Sequence, residues 1–297
     1  MTLRLPATLL VLVSALALGA CEGEAPGRLD SPTPSPLLYT ISAPDGATEG
    51  WLFGTIHTLP DGVEWRTPAL EQAIDEADLL VVEIAALDDA ADIAHTFAAL
   101  ASSPGQPEIG ARVPASQRQE LLALVERSGH DPADFAETET WAAALMLAQN
   151  SDNGSASNGA DRALLRDFAN REIRELEGTA RQLGIFDRLP ERDQRDLLTG
   201  VIAEAKERKS DPERLRRAWL AGDEATLIDA TTSGILADRE LRAALLTNRN
   251  RDWAGQLERM LRQPEQPMVA VGAAHLVGPE GLAELLRQAG YRVARVQ

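Results

Sequence analysis

The sequence predicts an α/β protein: a mixed, mainly parallel central sheet assembled from βαβ units and carrying a large α-helical insertion. Apolar runs of strand length stand at residues 51–55, 78–84 and 268–272, and the second is continuous rather than alternating, as in a parallel strand buried on both faces. Segments with helical apolar spacing separate these runs. Residues 268–296 read strand, helix, strand, which is one βαβ unit.

The first 20 residues stand outside this fold. Arg4 forms a short positive region, Leu9 to Leu18 an apolar stretch too short to span a bilayer, and Leu18-Gly19-Ala20-Cys21 a small-residue cleavage site ending in the chain's single cysteine. That pattern resembles a bacterial lipoprotein signal, with Cys21 as the lipidated first residue of the mature chain. Glu22 behind it favours the outer membrane by the sorting rules of such proteins, and places the protein in the cell envelope facing the periplasm. A lone cysteine also rules out a disulfide within the chain. Residues 21–37 hold Pro26, Pro32, Pro34 and Pro36 among Gly and Ser, a tether with too little apolar surface to pack.

Residues 38–297 form the expected folded domain. Leu37 to Ile41 is a short strand, Asp45-Gly46 a turn, and Trp51 to Thr55 a second strand, so the two make a hairpin. A helix over 66–77 leads into the strand 78–84, which ends on Glu83. A carboxylate amid apolar residues is costly unless it is paired or binds a cation. Residues 88–263 read as the helical insertion, with segments at 90–101, 115–128 and 137–149, a mobile Ser/Asn/Gly loop at 151–159, a helix at 161–170, and helices over 191–263 with starts at Asp211-Pro212, Asp223 and Asp238. One strand interrupts the insertion near 172–177, with Glu177 at its edge. His95 and His130 read as surface residues.

The chain carries a formal net charge of −17, which repels phosphate backbones and argues against nucleic acid as a partner. Its four histidines carry the main functional signal. Gly54-Thr-Ile-His57 and Gly272-Ala-Ala-His275 repeat one motif, Gly-x-x-His, each time at the end of an apolar strand. A glycine at a strand's carboxyl edge permits a sharp exit into the crevice above the sheet, where open α/β folds bind ligands. A histidine delivered there can act as base or metal ligand.

These residues resemble the TraB/GumN family, whose animal relatives are the Tiki membrane metalloproteases. The resemblance runs from about Leu38 to Gln297. It rests on Trp51 to His57 with Leu59-Pro60, Asp78 through Glu83, Leu176-Glu177 with Gln182-Leu183, Arg249-Asn250 with Trp253, and Gly272 through Leu276. It implies one site formed by His57, Glu83, Glu177, Arg249 and His275, and hydrolysis of a peptide or protein substrate dependent on a divalent metal such as Mn²⁺ or Co²⁺. The chemistry is compatible: two imidazoles with one or two carboxylates suit Mn²⁺, Co²⁺ or Zn²⁺, and Arg249, always protonated, suits an oxyanion rather than a metal. Which glutamate is ligand and which acid or base stays open. Two other readings stay open as well: an esterase-like hydrolase that needs no metal, and a lipoprotein that binds haem without catalysis.

Overall fold

The computed structural model describes residues 33–149 and 154–297; the expected signal peptide, Cys21 and most of the tether lie outside the described residues, as does part of the 151–159 loop. β1 (Leu38–Ser42) and β2 (Thr48–Thr55) form the expected antiparallel hairpin, with Thr40 opposite Trp51. α1 (Pro68–Glu76) starts where Thr67 accepts the Leu70 amide and Pro68 presets the first turn, and it buries Leu70, Ala73 and Ile74. β3 (Leu79–Val82) follows, buried at every position, and Glu83 sits just beyond it. α2 (Ala90–Ala101), α3 (Arg118–Arg127) and α4 (Thr140–Gln149) open the helical insertion; α5 (Ala160–Asp167) and β4 (Glu172–Glu175) come next.

α6 (Thr179–Asp187), α7 (Glu191–Ser210), α8 (Arg214–Ala221), α9 (Glu224–Ala230), α10 (Arg239–Arg242) and α11 (Asn248–Met260) complete it, before β5 (Pro267–Gly272), α12 (Leu282–Gln288) and β6 (Arg292–Arg295). Among the described residues the strands form a six-stranded sheet in the order β4-β3-β5-β2-β1-β6. β4, β3, β5 and β2 pair in parallel, and only β1 runs against its neighbours β2 and β6. The sheet is therefore mixed and mainly parallel, as expected.

Among the described residues two apolar cores result. One surrounds the sheet and includes Trp65, Trp219 and Trp253. The other, built on Phe135, Trp141, Leu197 and Val201, lies among the helices of the insertion.

Several elements depart from expectation. α6 was not foreseen, because Gly184 interrupts its short apolar pattern and only Thr179 and Gly184 are buried. Asp211-Pro212 does not start a helix; Asp211 ends α7, and α8 begins at Arg214. Asp223 and Asp238 do cap the helices expected of them. β5, α12 and β6 do form the expected βαβ unit, and its crossover passes β2 and β1 so that β6 pairs with β1 at the far edge. Part of the supposedly mobile loop is tied down, since Ser155 pairs with Leu59 through two backbone hydrogen bonds. His130 is not a surface residue; its side chain is 9% exposed and packs edge-on against Phe135.

Candidate active site

β2 and β5 are parallel neighbours with Gly54 opposite Val271 and Thr55 opposite Gly272, so both Gly-x-x-His motifs leave the sheet side by side at its carboxyl edge. β3 delivers Glu83 to the same edge, and β4 delivers Glu177, whose amide bonds the Glu83 carbonyl at 3.2 Å. Four strand ends thus supply four of the predicted side chains, the arrangement that parallel sheets use for ligand sites. α11 supplies the fifth, Arg249, directly after a π-helical turn at Ala243–Thr247. Such turns recur near functional groups. Here the wider turn leaves the Leu245 carbonyl to accept from Arg249 Nη1 at 3.1 Å.

The two motif glycines differ in what they permit. A methyl group built on Gly54 would lie 3.1 Å from both Cα and Cβ of Ala273, so the bare glycine lets the second motif pack against the first. A methyl on Gly272 would lie 3.5 Å from Glu83 Oε1, 3.7 Å from His275 Cδ2 and 3.9 Å from His57 Nε2. Three candidate side chains therefore surround one point above Gly272, and the missing side chain leaves that point as a cradle.

Hydrogen bonds fix both imidazoles. Asn250, wholly buried, donates its amide to the Glu280 carbonyl at 2.7 Å, which turns its oxygen toward His275 Nδ1 at 2.5 Å. His275 thus carries its proton on Nδ1 and holds a lone pair on Nε2. Trp253 covers the ring at 4.5 Å between centroids. Burial pushes the His275 pKa down to about 4, assisted by Arg249 and His57, so the ring is neutral at pH 7. His57 is the opposite case: 69% of its side chain is in solvent, and its Nδ1 lies 2.9 Å from Asp161 Oδ2. The Asp161 carboxylate raises its pKa above the usual histidine value, although solvent around the ring screens the attraction.

Glu83 accepts the Gly272 amide at 2.9 Å on Oε1, and Arg249 Nη2 at 2.8 Å and Gln182 Nε2 at 3.1 Å on Oε2. Burial opposes its ionisation, but His275, Arg249 and His57 overcome that and hold its pKa down to about 2. Arg249 also binds Glu177 through Nε at 3.0 Å and Nη2 at 2.9 Å, while Trp253 Nε1 donates to the same carboxylate at 3.2 Å. Its Nη1 approaches His275 Nε2 at 3.3 Å, so all five guanidinium N–H groups are engaged. Glu177 stands behind Arg249, its side chain 2% exposed.

All five predicted side chains and both motif glycines come together. Asp161 and Asn250 were given no role from sequence: Asp161 reads as an ordinary acidic residue in a helix's first turn, and Asn250 carries no chemistry until its partner is known. Among the described residues no three His, Cys, Asp or Glu side chains stand close enough to hold a metal as placed. A surface concavity of about 470 Å³ beside Leu124 and Ile202 lies on the helical insertion away from this crevice.

The TraB/PrgY/gumN family profile matches residues 37–295. The chain is 26% identical to a protein of Shigella flexneri named uncharacterized protein YbaP, over 84% of this chain and 93% of that protein. It is also 26% identical to the protein of the same name from Escherichia coli (strain K12), over 80% of this chain and 87% of the relative. No solved structure matches. With the profile covering nearly the whole described fold, the chain belongs to the TraB/PrgY/gumN family.

Proposed function

We propose that this protein is a hydrolase of peptide bonds, working at the cradle above Gly272 with a divalent metal held by His57, Glu83 and His275. The observation that carries the proposal is that Glu83 Oε1, His275 Cδ2 and His57 Nε2 lie 3.5, 3.7 and 3.9 Å from one point above Gly272, around which the three side chains would close further to hold a cation. The donor set supports it: each imidazole has its Nδ1 committed to a side-chain acceptor, Asp161 or Asn250, so Nε2 is the nitrogen that would ligate, and at His275 it would exchange the 3.3 Å contact with Arg249 Nη1 for the metal. A carboxylate that stays ionised and two imidazoles suit Mn²⁺, Co²⁺ or Zn²⁺. Peptide as the substrate class comes from the likeness of the motifs to Tiki metalloproteases.

A divalent cation in that position would supply an acidified water as nucleophile and polarise the scissile carbonyl. The chain's residues do the rest. Glu83 and His275 have low proton affinity and stay available as ligands at neutral pH. His57, with its raised pKa, gives up a proton when it ligates, so metal uptake is favoured as pH rises. Arg249 holds Glu83 in place and adds positive charge beside His275, where negative charge would develop on the substrate oxygen. Glu177 serves as the counter-charge that positions Arg249.

A second reading has its own observation. The Arg249 guanidinium already neutralises Glu83, and the His57–Asp161 pair resembles a general base backed by a carboxylate, which supports a hydrolase without metal. Incubating the purified chain with a diverse peptide library and Mn²⁺ or Co²⁺, with and without chelator, separates the two by mass spectrometry. Cleavage abolished by chelator supports the metal reading; chelator-resistant cleavage supports the second; no cleavage sinks both.

We also propose that Cys21 anchors the protein to the envelope membrane. The motif and the proline-rich tether support this, and the tether enters the fold where the Ser35 amide bonds the Leu220 carbonyl at 2.7 Å. Labelled palmitate should be incorporated by the native chain and not by Cys21→Ser; equal incorporation would refute the anchor.

A further inference from the structure

We infer that Asp161 is a positioning residue of this site, held in place by Thr55 and acting through His57. The inference deepens the hydrolase reading and rests on it, in either its metal or its metal-free form.

Three observations carry it. The Asp161 side chain is only 10% exposed, and its two oxygens divide between two residues of the first histidine motif: Oδ1 accepts the Thr55 hydroxyl at 2.6 Å and Oδ2 faces His57 Nδ1 at 2.9 Å. A carboxylate is acceptor only, so His57 must donate from Nδ1, and its Nε2 is turned toward the point above Gly272. The chain around Asp161 is clamped to the same motif, since the Ala160 amide bonds the Ile56 carbonyl at 2.9 Å and a methyl on Gly159 would collide with the His57 carbonyl oxygen. The neighbouring Arg162 does not compete for the carboxylate, because its guanidinium reaches Asp88 and the carbonyls of Leu87 and Ala156 instead.

Attachment of α5 to β2 alone would not need this arrangement. The backbone bond and the glycine contact already secure the helix, whereas Asp161, fixed through Oδ1 by Thr55, directs Oδ2 at one ring that is itself mostly in solvent. An exposed imidazole without such a partner rotates freely and favours the Nε2–H tautomer, which has its lone pair on the wrong nitrogen for this site. Outer partners of this kind typically contribute about 10–100-fold to ligand affinity or activity.

The test reads the tautomer rather than the activity alone. Nitrogen-15 histidine spectra of the purified full chain are recorded in alkaline, metal-free buffer, where His57 is neutral. The native chain should show His57 as Nδ1–H, and Asp161→Ala should revert it to mainly Nε2–H and reduce peptide cleavage about 10–100-fold. Thr55→Val should move both readouts the same way by less, and Thr55→Ser, which keeps the hydroxyl, should restore them. An Nε2–H tautomer in the native chain overturns the inference without any variant having to fold. So does an unchanged Nδ1–H signal in Asp161→Ala with loss of thermal stability only. If the native chain cleaves no peptide, the hydrolase reading fails while the tautomer still decides the role of Asp161.

Discussion

The two Gly-x-x-His motifs share their glycine, their histidine and their place at a strand end, and are opposite in setting. The first ends in a ring that is mostly in solvent and faces a carboxylate; the second ends in a residue that is 8% exposed, covered by Trp253 and beside a guanidinium. Their proton affinities accordingly move apart, His57 upward and His275 down to about 4. Two groups pushed in opposite directions at one site can divide labour, one holding charge steady while the other trades protons. A sequence motif therefore fixes where a histidine emerges, whereas the elements packed over it fix what that histidine can do.

The largest effect should come from removing the cation that the second motif leans on. Arg249 stands between two carboxylates whose side chains are 11% and 2% exposed, so Arg249→Ala leaves both buried without a counter-charge. Urea unfolding should show a loss of about 3–5 kcal/mol. A loss below about 1 kcal/mol would mean that the Glu83–Arg249–Glu177 network does not hold the site together.

The histidines themselves should report on opposite sides of neutrality in the metal-free protein. His275 has a depressed folded pKa, so its contribution is complete above the unfolded value of 6.5 and is lost as pH falls through about 4. The shift corresponds to about 3 kcal/mol. Glu83 titrates lower, since its depressed pKa matters only below the ordinary carboxylate value of 4.5, which leaves the window between pH 6.5 and 4.5 to His275. His57 has a raised folded pKa, so its contribution is complete below pH 6.5 and fades as pH rises through the folded value. Stability measured against pH should flatten on the acid side in His275→Gln and on the alkaline side in His57→Gln; the reverse assignment would break the comparison.

The glycines give the smallest and most selective test. In Gly54→Ala the new methyl meets the Ala273 backbone at 3.1 Å, and overpacking of this kind costs about 1–3 kcal/mol. In Gly272→Ala the nearest neighbours are 3.5 Å or more away, so thermal stability should change by under about 1 kcal/mol while activity falls, because the methyl fills the cradle. Equal stability losses in the two variants would show that the glycines are interchangeable.

Much of this was legible in the sequence because strands of a parallel sheet announce themselves as apolar runs. Residues 51–55, 78–84 and 268–272 were expected as strands, and the motifs at their ends marked His57, Glu83 and His275. The weakly apolar β4 was still recognisable, and with it Glu177, because an edge strand keeps a short register even when its charged residues face water. Other features could not be read. The place of β6 depends on a choice between two sheet edges that its own residues do not encode. Asp161 lies 104 residues from His57, and nothing local separates it from the other acidic residues of an acidic chain. The engagement of Arg249 also escapes the sequence, for its five bonds reach back to β3, β4, the π turn and the second motif at once.

The central claim is that both motifs serve one metal. Adding Co²⁺ to the purified chain and following its visible absorption tests this directly. The account predicts ligand-field bands that saturate at about one equivalent and disappear in His57→Ala and in His275→Ala alike, since either loss removes one of three ligands. Bands of undiminished intensity in both variants would contradict it.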